Sequence, residues 1–205
     1  MVPSLITNLY LRWDQWISFR ASISPNDRRA KAFARFGARS LIMWRPNTIF
    51  NEQYIEIGED TLIGPGVSLS AGMVPGQQCI TSPVVKIGDR CLIGKGSGIV
   101  GHFSVEIGND VWTGHHVYIT DQNHGYEDVT QPISRQSQPE RAVVIGDETW
   151  LGYGSVVLPG VTIGKHVVVG ANSVVTHDLP DYSVAVGAPA KVIRQFIDGE
   201  WKSVS

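Results

Sequence analysis

Two cysteines among 205 residues, Cys79 and Cys91, are too few for a disulfide framework or a four-thiolate zinc site. Charge imbalance is lacking as well. Lys and Arg number 17 against 19 Asp and Glu, a formal −2, which removes the electrostatic basis for a charge-driven nucleic-acid binder. No apolar run approaches the roughly 18 residues of a membrane-spanning helix, so none is expected. The opening MVPSLITNLYLRWDQW has no basic n-region, long apolar stretch or small-residue cleavage site. No signal peptide is therefore expected, and a cytoplasmic, reduced protein is the default. Charged residues reach only 18% and aromatics 9%. Glycine, by contrast, is plentiful at 22 residues, without collagen triplets or low complexity. That pattern implies tight turns at fixed positions within one domain, with or without a small appendage.

The glycines are periodic. Aliphatic-Gly pairs recur at Ile57-Gly58, Ile63-Gly64, Ile87-Gly88, Ile93-Gly94, Ile107-Gly108, Ile145-Gly146, Leu151-Gly152, Ile163-Gly164 and Val169-Gly170, with Thr113-Gly114 in the tenth place. Within each couple the spacing is six, and a third aliphatic follows six later at Leu69, Ile99, Ile119, Val157 and Val175. Three sixes form an 18-residue unit, realised without insertion between Ile145 and Ile163. The other steps, of 30, 20 and 38 residues, exceed that unit by 12, 2 and 20. A period of six fits neither an α-helix nor a hairpin meander. A short strand plus a corner uses six residues, and three corners return the chain to its start. Position one should then point inward and stack on its counterpart, while position five is small or β-branched, as at Thr61, Cys91, Val117, Ser155 and Val167. Gly at position two permits close backbone approach near a corner. A three-sided parallel β-helix is the expected core.

On these residues the chain resembles the hexapeptide-repeat acyltransferases. IGDETWLGYGSVVLPGVTIGKHVVVGANSVV matches their repeat, and SVAVGAPAKVIR their closing segment. The maltose and galactoside O-acetyltransferase branch is most similar, over residues 87–194. The resemblance implies a left-handed coil, a sense that periodicity does not supply and that the usual crossover rule would reverse. The expected architecture is mainly β: a left-handed parallel β-helix of about five to six coils, with N-terminal helices and a long loop insertion. Residues 1–46 form the helical segment, 47–194 the β-helix with its loop at 120–142, and 195–205 a short helix or tail.

At the N-terminus, Leu5, Leu9, Trp13 and Trp16, with Ile6, Tyr10 and Ile17, give residues 4–20 an amphipathic helical pattern. Packing over the open end of the prism is the plainer use of this stripe; contact with a membrane or an acyl chain is the functional one. Ser24-Pro25-Asn26-Asp27 starts a second predicted helix, RRAKAFARF, with Gly37 as its stop.

The 20-residue excess falls within DQNHGYEDVTQPISRQSQPERA, residues 121–142, which interrupts an otherwise economical repeat and is the natural seat of chemistry. Acyl transfer from a thioester to a hydroxyl needs a base, and neutral imidazole suits that role. His124 matches the position of the family's catalytic histidine; otherwise it is a solvated loop side chain. Asp121 or a backbone carbonyl would hold its second ring nitrogen, with Glu127 and Asp128 as weaker orienters. By the same resemblance the backbone N–H of Tyr153 donates to the developing oxyanion. Acyl-coenzyme A, acetyl by default, would lie between neighbouring subunits of a homotrimer, along Gly152, Ala171, Thr176, His177, Lys191 and Arg194. Here His177 replaces the family's usual lysine. Trp112, His115 and Trp150 are candidate walls of the acceptor or acyl pocket, or else subunit contacts. Arg135 and Arg141 are candidate partners of an acceptor carboxylate, or of nearby acids. His102 and His166 stand at ordinary outward positions.

The implied activity is acyl transfer to a hydroxyl of a sugar or small glycoside, with no metal and no nucleic acid. A medium-chain donor such as octanoyl is the alternative within that class. A non-enzymatic assembly prism is the alternative outside it. A γ-type carbonic anhydrase shares the repeat but needs a histidine pair five apart, which is absent.

Overall fold

In a computed structural model, which describes residues 5–204, the repeat becomes three parallel sheets wound around one apolar core. The first sheet stacks Arg35–Phe36, Ile55–Ile57, Val85–Ile87, Val105–Ile107, Val143–Ile145 and Thr162–Ile163. The second stacks Leu41–Ile42, Leu62–Ile63, Leu92–Ile93, Trp112–Thr113, Trp150–Leu151, Val168–Val169 and Ser183–Val186. Ile49–Phe50, Ser68–Ala71, Gly98–Gly101, Tyr118–Thr120, Val156–Val157 and Val174–Val175 make the third. Register follows the period: Ile57, Ile87, Ile107, Ile145 and Ile163 pair rung to rung, and every one is buried. Position-five residues are buried beside them, and burial pushes the Cys91 thiol up to about 11. Since the thiolate is the reactive form, Cys91 should resist iodoacetamide near neutral pH until the chain unfolds, read by mass spectrometry.

The position-two glycines are required by the distance between rungs. A Cβ on Gly114 would sit 2.6 Å from the Tyr153 nitrogen, and one on Gly152 would sit 2.6 Å from the Ala171 nitrogen. Both neighbours are backbone and cannot turn aside. Gly152→Ala should therefore destabilise by about 1–3 kcal/mol, lowering the urea midpoint.

Three segments depart from the expected elements. Only Arg28–Ala32 is helical in the second predicted helix, as a 3-10 turn capped by Asp27, whose carboxylate accepts from Arg29 N–H at 2.8 Å. The Arg29 guanidinium holds that carboxyl down to about 2. Arg35–Phe36 then pairs with Ile55–Ile57, so the first rung begins before residue 47. Gly37 is no helix stop; its missing Cβ avoids the Gly58 carbonyl, making Phe36-Gly37 another member of the repeat.

The aromatic helix, α1 (Leu5–Ala21), does not close the prism end. Trp13 is 61% and Phe19 78% exposed, while Ile23, Ala30 and Phe33 pack on the first rung instead. Residue 4 of the expected helix lies outside the described residues. Finally, the C-terminal tail is a hairpin rather than a helix. Lys191–Ile197 and Glu200–Ser203 pair antiparallel and extend the second sheet. Asp198 and Gly199, at φ 54° and 83°, supply the turn that an Asp-Gly dipeptide favours.

The outer faces differ. Outward side chains of the first sheet include Glu56, Lys86 and Glu106 in register. On the second, Leu41, Leu62, Leu92, Trp112, Trp150, Val168 and Val184 form one continuous apolar column.

Candidate active site

The insertion leaves the third sheet after Thr120 and returns to the first at Val143. Its neck is a short antiparallel ribbon. Arg141 N–H donates to the Asp121 carbonyl at 2.7 Å, Asn123 N–H to Pro139 at 3.1 Å and Gly125 N–H to Ser137 at 2.9 Å. Gln122 bridges Glu140, so two residues on His124 stands opposite Gln138. The Gln138 amide nitrogen accordingly lies 3.4 Å from the His124 Nδ1.

Asp121 does not hold the imidazole. Its carboxylate is fully buried and accepts backbone N–H groups of His102, Phe103 and Ser104 at 2.6–3.0 Å. Those residues form the preceding turn at the same corner, so Asp121 anchors the root of the loop to the rung below. Glu127 and Asp128 are not orienters either. The Thr130 hydroxyl and N–H and the Gln131 amide hold the Asp128 carboxyl low, while Gln136 binds its backbone. Glu127 accepts from the Tyr126 N–H, which holds its carboxyl low too. Asp128 braces the distal loop, whereas Glu127 lines the cavity onto which His124 opens.

His124 opens onto a cavity of about 220 Å³, lined also by Asn123, Tyr126, Arg141, Leu158 and Thr176. Loop and later rungs thus share one pocket. Arg141 belongs to it; Arg135, exposed in the 3-10 turn Ile133–Arg135, is not among its lining residues. Thr176 Oγ1 lies 2.8 Å from His177 Nδ1, at the cavity's rim. Lys191 and Arg194 are exposed on the C-terminal hairpin.

Tyr153 occupies a different corner, where the second sheet passes to the third. Gly152 and Ala171 share that corner, and the Tyr153 and Ala171 N–H groups make no hydrogen bond among the described residues. His115 is exposed there beside a groove lined by Leu92, Gly94 and Lys95. Trp112 and Trp150, 57% and 51% exposed, lie side by side on the second sheet with Asp110 and Glu148 at their edge. One chain therefore divides the candidate residues between two corners and a face. His166 contacts Glu148 at 3.1 Å and is exposed. His102 is not outward as expected: it is 9% exposed beneath the loop, its Nδ1 3.7 Å from Glu140. Among the described residues, no three of His, Cys, Asp and Glu are grouped to hold a metal ion.

A phosphopantetheine thioester bound here could meet free backbone N–H groups at one corner with its amide or carbonyl oxygens, and Lys191 and Arg194 could donate to its phosphates.

Family models for bacterial transferase hexapeptide repeats match residues 142–177, and for the hexapeptide repeat of succinyl-transferase residues 84–120. A putative lipopolysaccharide biosynthesis O-acetyl transferase of Escherichia coli K12 is 37% identical over 158 residues, covering 74% of this chain and 76% of that protein. The chain belongs to the hexapeptide-repeat acyltransferases. A probable acetyltransferase of Mycobacterium tuberculosis is 41% identical over 110 residues, 54% of this chain, but the chain spans only 37% of that protein. Among solved structures, the Bacillus cereus N-acyltransferase AntD, in complex with dTDP and coenzyme A, superposes with a TM-score of 0.69 at 24% identity. It covers 83% of this chain and 89% of its own, a likeness of fold. As a hexapeptide-repeat protein this chain departs from plain repetition chiefly at its loop corner. Leu158 and Pro159, which nothing in the sequence distinguishes from other repeat residues, also line the cavity beneath the loop.

Proposed function

We propose that this hexapeptide-repeat protein transfers an acyl group, acetyl by default, from acyl-coenzyme A to a hydroxyl of a sugar or small glycoside. The observation that carries the reading is the imidazole of His124 at the mouth of a cavity shared with Arg141 and Thr176. With Nδ1 turned to Gln138, Nε2 is the ring nitrogen left for the acceptor. His124 takes the hydroxyl proton as the oxygen bonds to the thioester carbon. The carbon–sulfur bond then breaks, and the imidazolium returns its proton to the leaving thiolate. Carbonyl oxygen charge would meet backbone N–H groups of the Tyr153 type.

Since His124 and Tyr153 stand at different corners, that oxyanion contact needs a second copy of the chain. The apolar column on the second sheet favours such self-assembly, and a homotrimer of left-handed prisms, five to six coils each, is the arrangement we infer. Coenzyme A would then cross from Gly152 and Ala171 of one subunit to Thr176 and His177 of the next. Use of a cytoplasmic thioester donor agrees with the two free thiols. Trp150→Glu inserts a charge into the middle of that column. It should turn the assembly monomeric and lower turnover at least tenfold, read by light scattering and an acyl-transfer assay together.

The decisive experiment is a matrix of acyl-coenzyme A lengths against sugars, glycosides, sugar acids and amino sugars, with products read by mass spectrometry. Transfer to hydroxyls with acetyl or longer donors supports the reading. Absence of thiol release with every pair would leave the prism a non-catalytic assembly module.

A further inference from the structure

Beyond the base itself, the structure assigns a positioning residue to it. We infer that Gln138 fixes the tautomer of His124, an inference that rests on the acyltransferase reading for its catalytic meaning but not for its chemistry. The neck ribbon sets the pair. The bonds from Asn123 to Pro139 and from Gly125 to Ser137 leave His124 and Gln138 directly opposed without a backbone bond between them. That is the cross-strand geometry with the closest side chains.

The amide nitrogen of Gln138 faces Nδ1 at 3.4 Å, while its Oε1 is buried with no partner. In that orientation Nδ1 accepts, the ring proton sits on Nε2, and Nε2 has no lone pair for an acceptor hydroxyl. Half a turn of the amide corrects both faults. Oε1 then accepts from Nδ1–H, and the Nε2 lone pair faces the cavity. The displaced NH2 group takes the buried side; Gln122, on the same face of the ribbon, also has a buried Oε1 without a partner among the described residues. An orphaned buried acceptor costs free energy, and the turn gives the Gln138 Oε1 a donor. An uncharged amide also holds the ring without competing for its proton.

Asp121, the acid nearest in sequence, cannot do this because three N–H groups already occupy its carboxylate. Glu140 faces His102 instead. Glu127 lines the same cavity, but its carboxylate accepts the Tyr126 N–H, and the side-chain contact at Nδ1 is with Gln138.

Long-range 1H–15N correlation spectra of histidine-labelled protein read the tautomer directly. In the native protein Nδ1 of His124 should carry the proton and Nε2 be bare. Gln138→Ala should shift the ring to the Nε2–H form and lower kcat on the order of 10- to 100-fold with little change in KM. Gln138→Glu also accepts from Nδ1–H; it should restore the native tautomer and move the acid limb of the pH–rate profile upward. A bare Nδ1 in the native protein, or a tautomer indifferent to Gln138→Ala, overturns the assignment. If His124→Ala retained full turnover while the tautomer still followed Gln138, the catalytic reading would fail and the contact would stand.

Discussion

Replacing His124 by Ala should lower kcat by about 10²- to 10⁴-fold while KM for the acyl donor stays near its native value, the range that general bases contribute. The split follows from where the imidazole acts. It stands at the mouth of the cavity, on a loop anchored by Asp121 rather than by His124 itself, so its loss should not disturb the fold. A proton is accepted only as the hydroxyl attacks, so the interaction exists in the transition state and not in the bound ground state. The donor contacts proposed along Gly152 and Ala171 lie at another corner, away from the substitution. Steady-state kinetics with the best acceptor from the donor–acceptor matrix, beside an unchanged thermal midpoint, make the measurement. Native turnover in a folded, assembled variant would exclude His124 as the base.

The scaffold was legible because its physics is repetitive. Ile57, Ile87, Ile107, Ile145 and Ile163 must occupy equivalent inward positions, and one inference served them all. Phe36-Gly37 escaped because the next pair comes 21 residues later and an aromatic replaces the aliphatic, so neither the period nor the residue type announced it. Helical spacing in RRAKAFARF was overridden by burial of Ala30 and Phe33 against the first rung. The C-terminal hairpin does carry a signal, the Asp198-Gly199 dipeptide between Phe196-Ile197 and Glu200-Trp201, too short a pattern to stand out in an eleven-residue tail.

Site residues were less legible for a different reason. His124 stood out because the loop breaks the period and the resemblance named its place. What lies across from it depends on how the two ends of that loop pair, and nothing in a 20-residue insertion states that register. Gln138 therefore looks like any polar loop residue until the ribbon from Asp121 to Arg141 is seen. Arg135 and Arg141 were equivalent in sequence for the same reason; the neck of the loop lines the cavity, and the turn that carries Arg135 does not.

The role found for Asp121 carries the second large expectation. Asp121→Asn should destabilise the protein by about 3 kcal/mol and, in whatever fraction remains folded, loosen the loop that carries His124. Three backbone N–H groups converge on a carboxylate with no solvent exposure, each bond charge-assisted at 2.6–3.0 Å. Such bonds contribute about 1.5–3 kcal/mol each, and a buried donor left without an acceptor adds its own desolvation cost. With its oxygen in the place of Oδ2, asparagine still faces all three N–H groups but without the negative charge, and its NH2 group then meets the His102 N–H that Oδ1 had accepted. Alanine would orphan all three and should be worse. The same residue's carbonyl accepts the Arg141 N–H that closes the loop neck, so strain at 102–104 passes directly to the ribbon holding His124 opposite Gln138. Denaturant unfolding should register the stability loss. Hydrogen exchange at Asn123, Gly125 and Arg141 should rise further than exchange in rungs distant from the corner, because the neck loses its anchor while the prism keeps its ladders. Equal exchange everywhere would mean that Asp121 stabilises the prism as a whole and that the loop is held by something else.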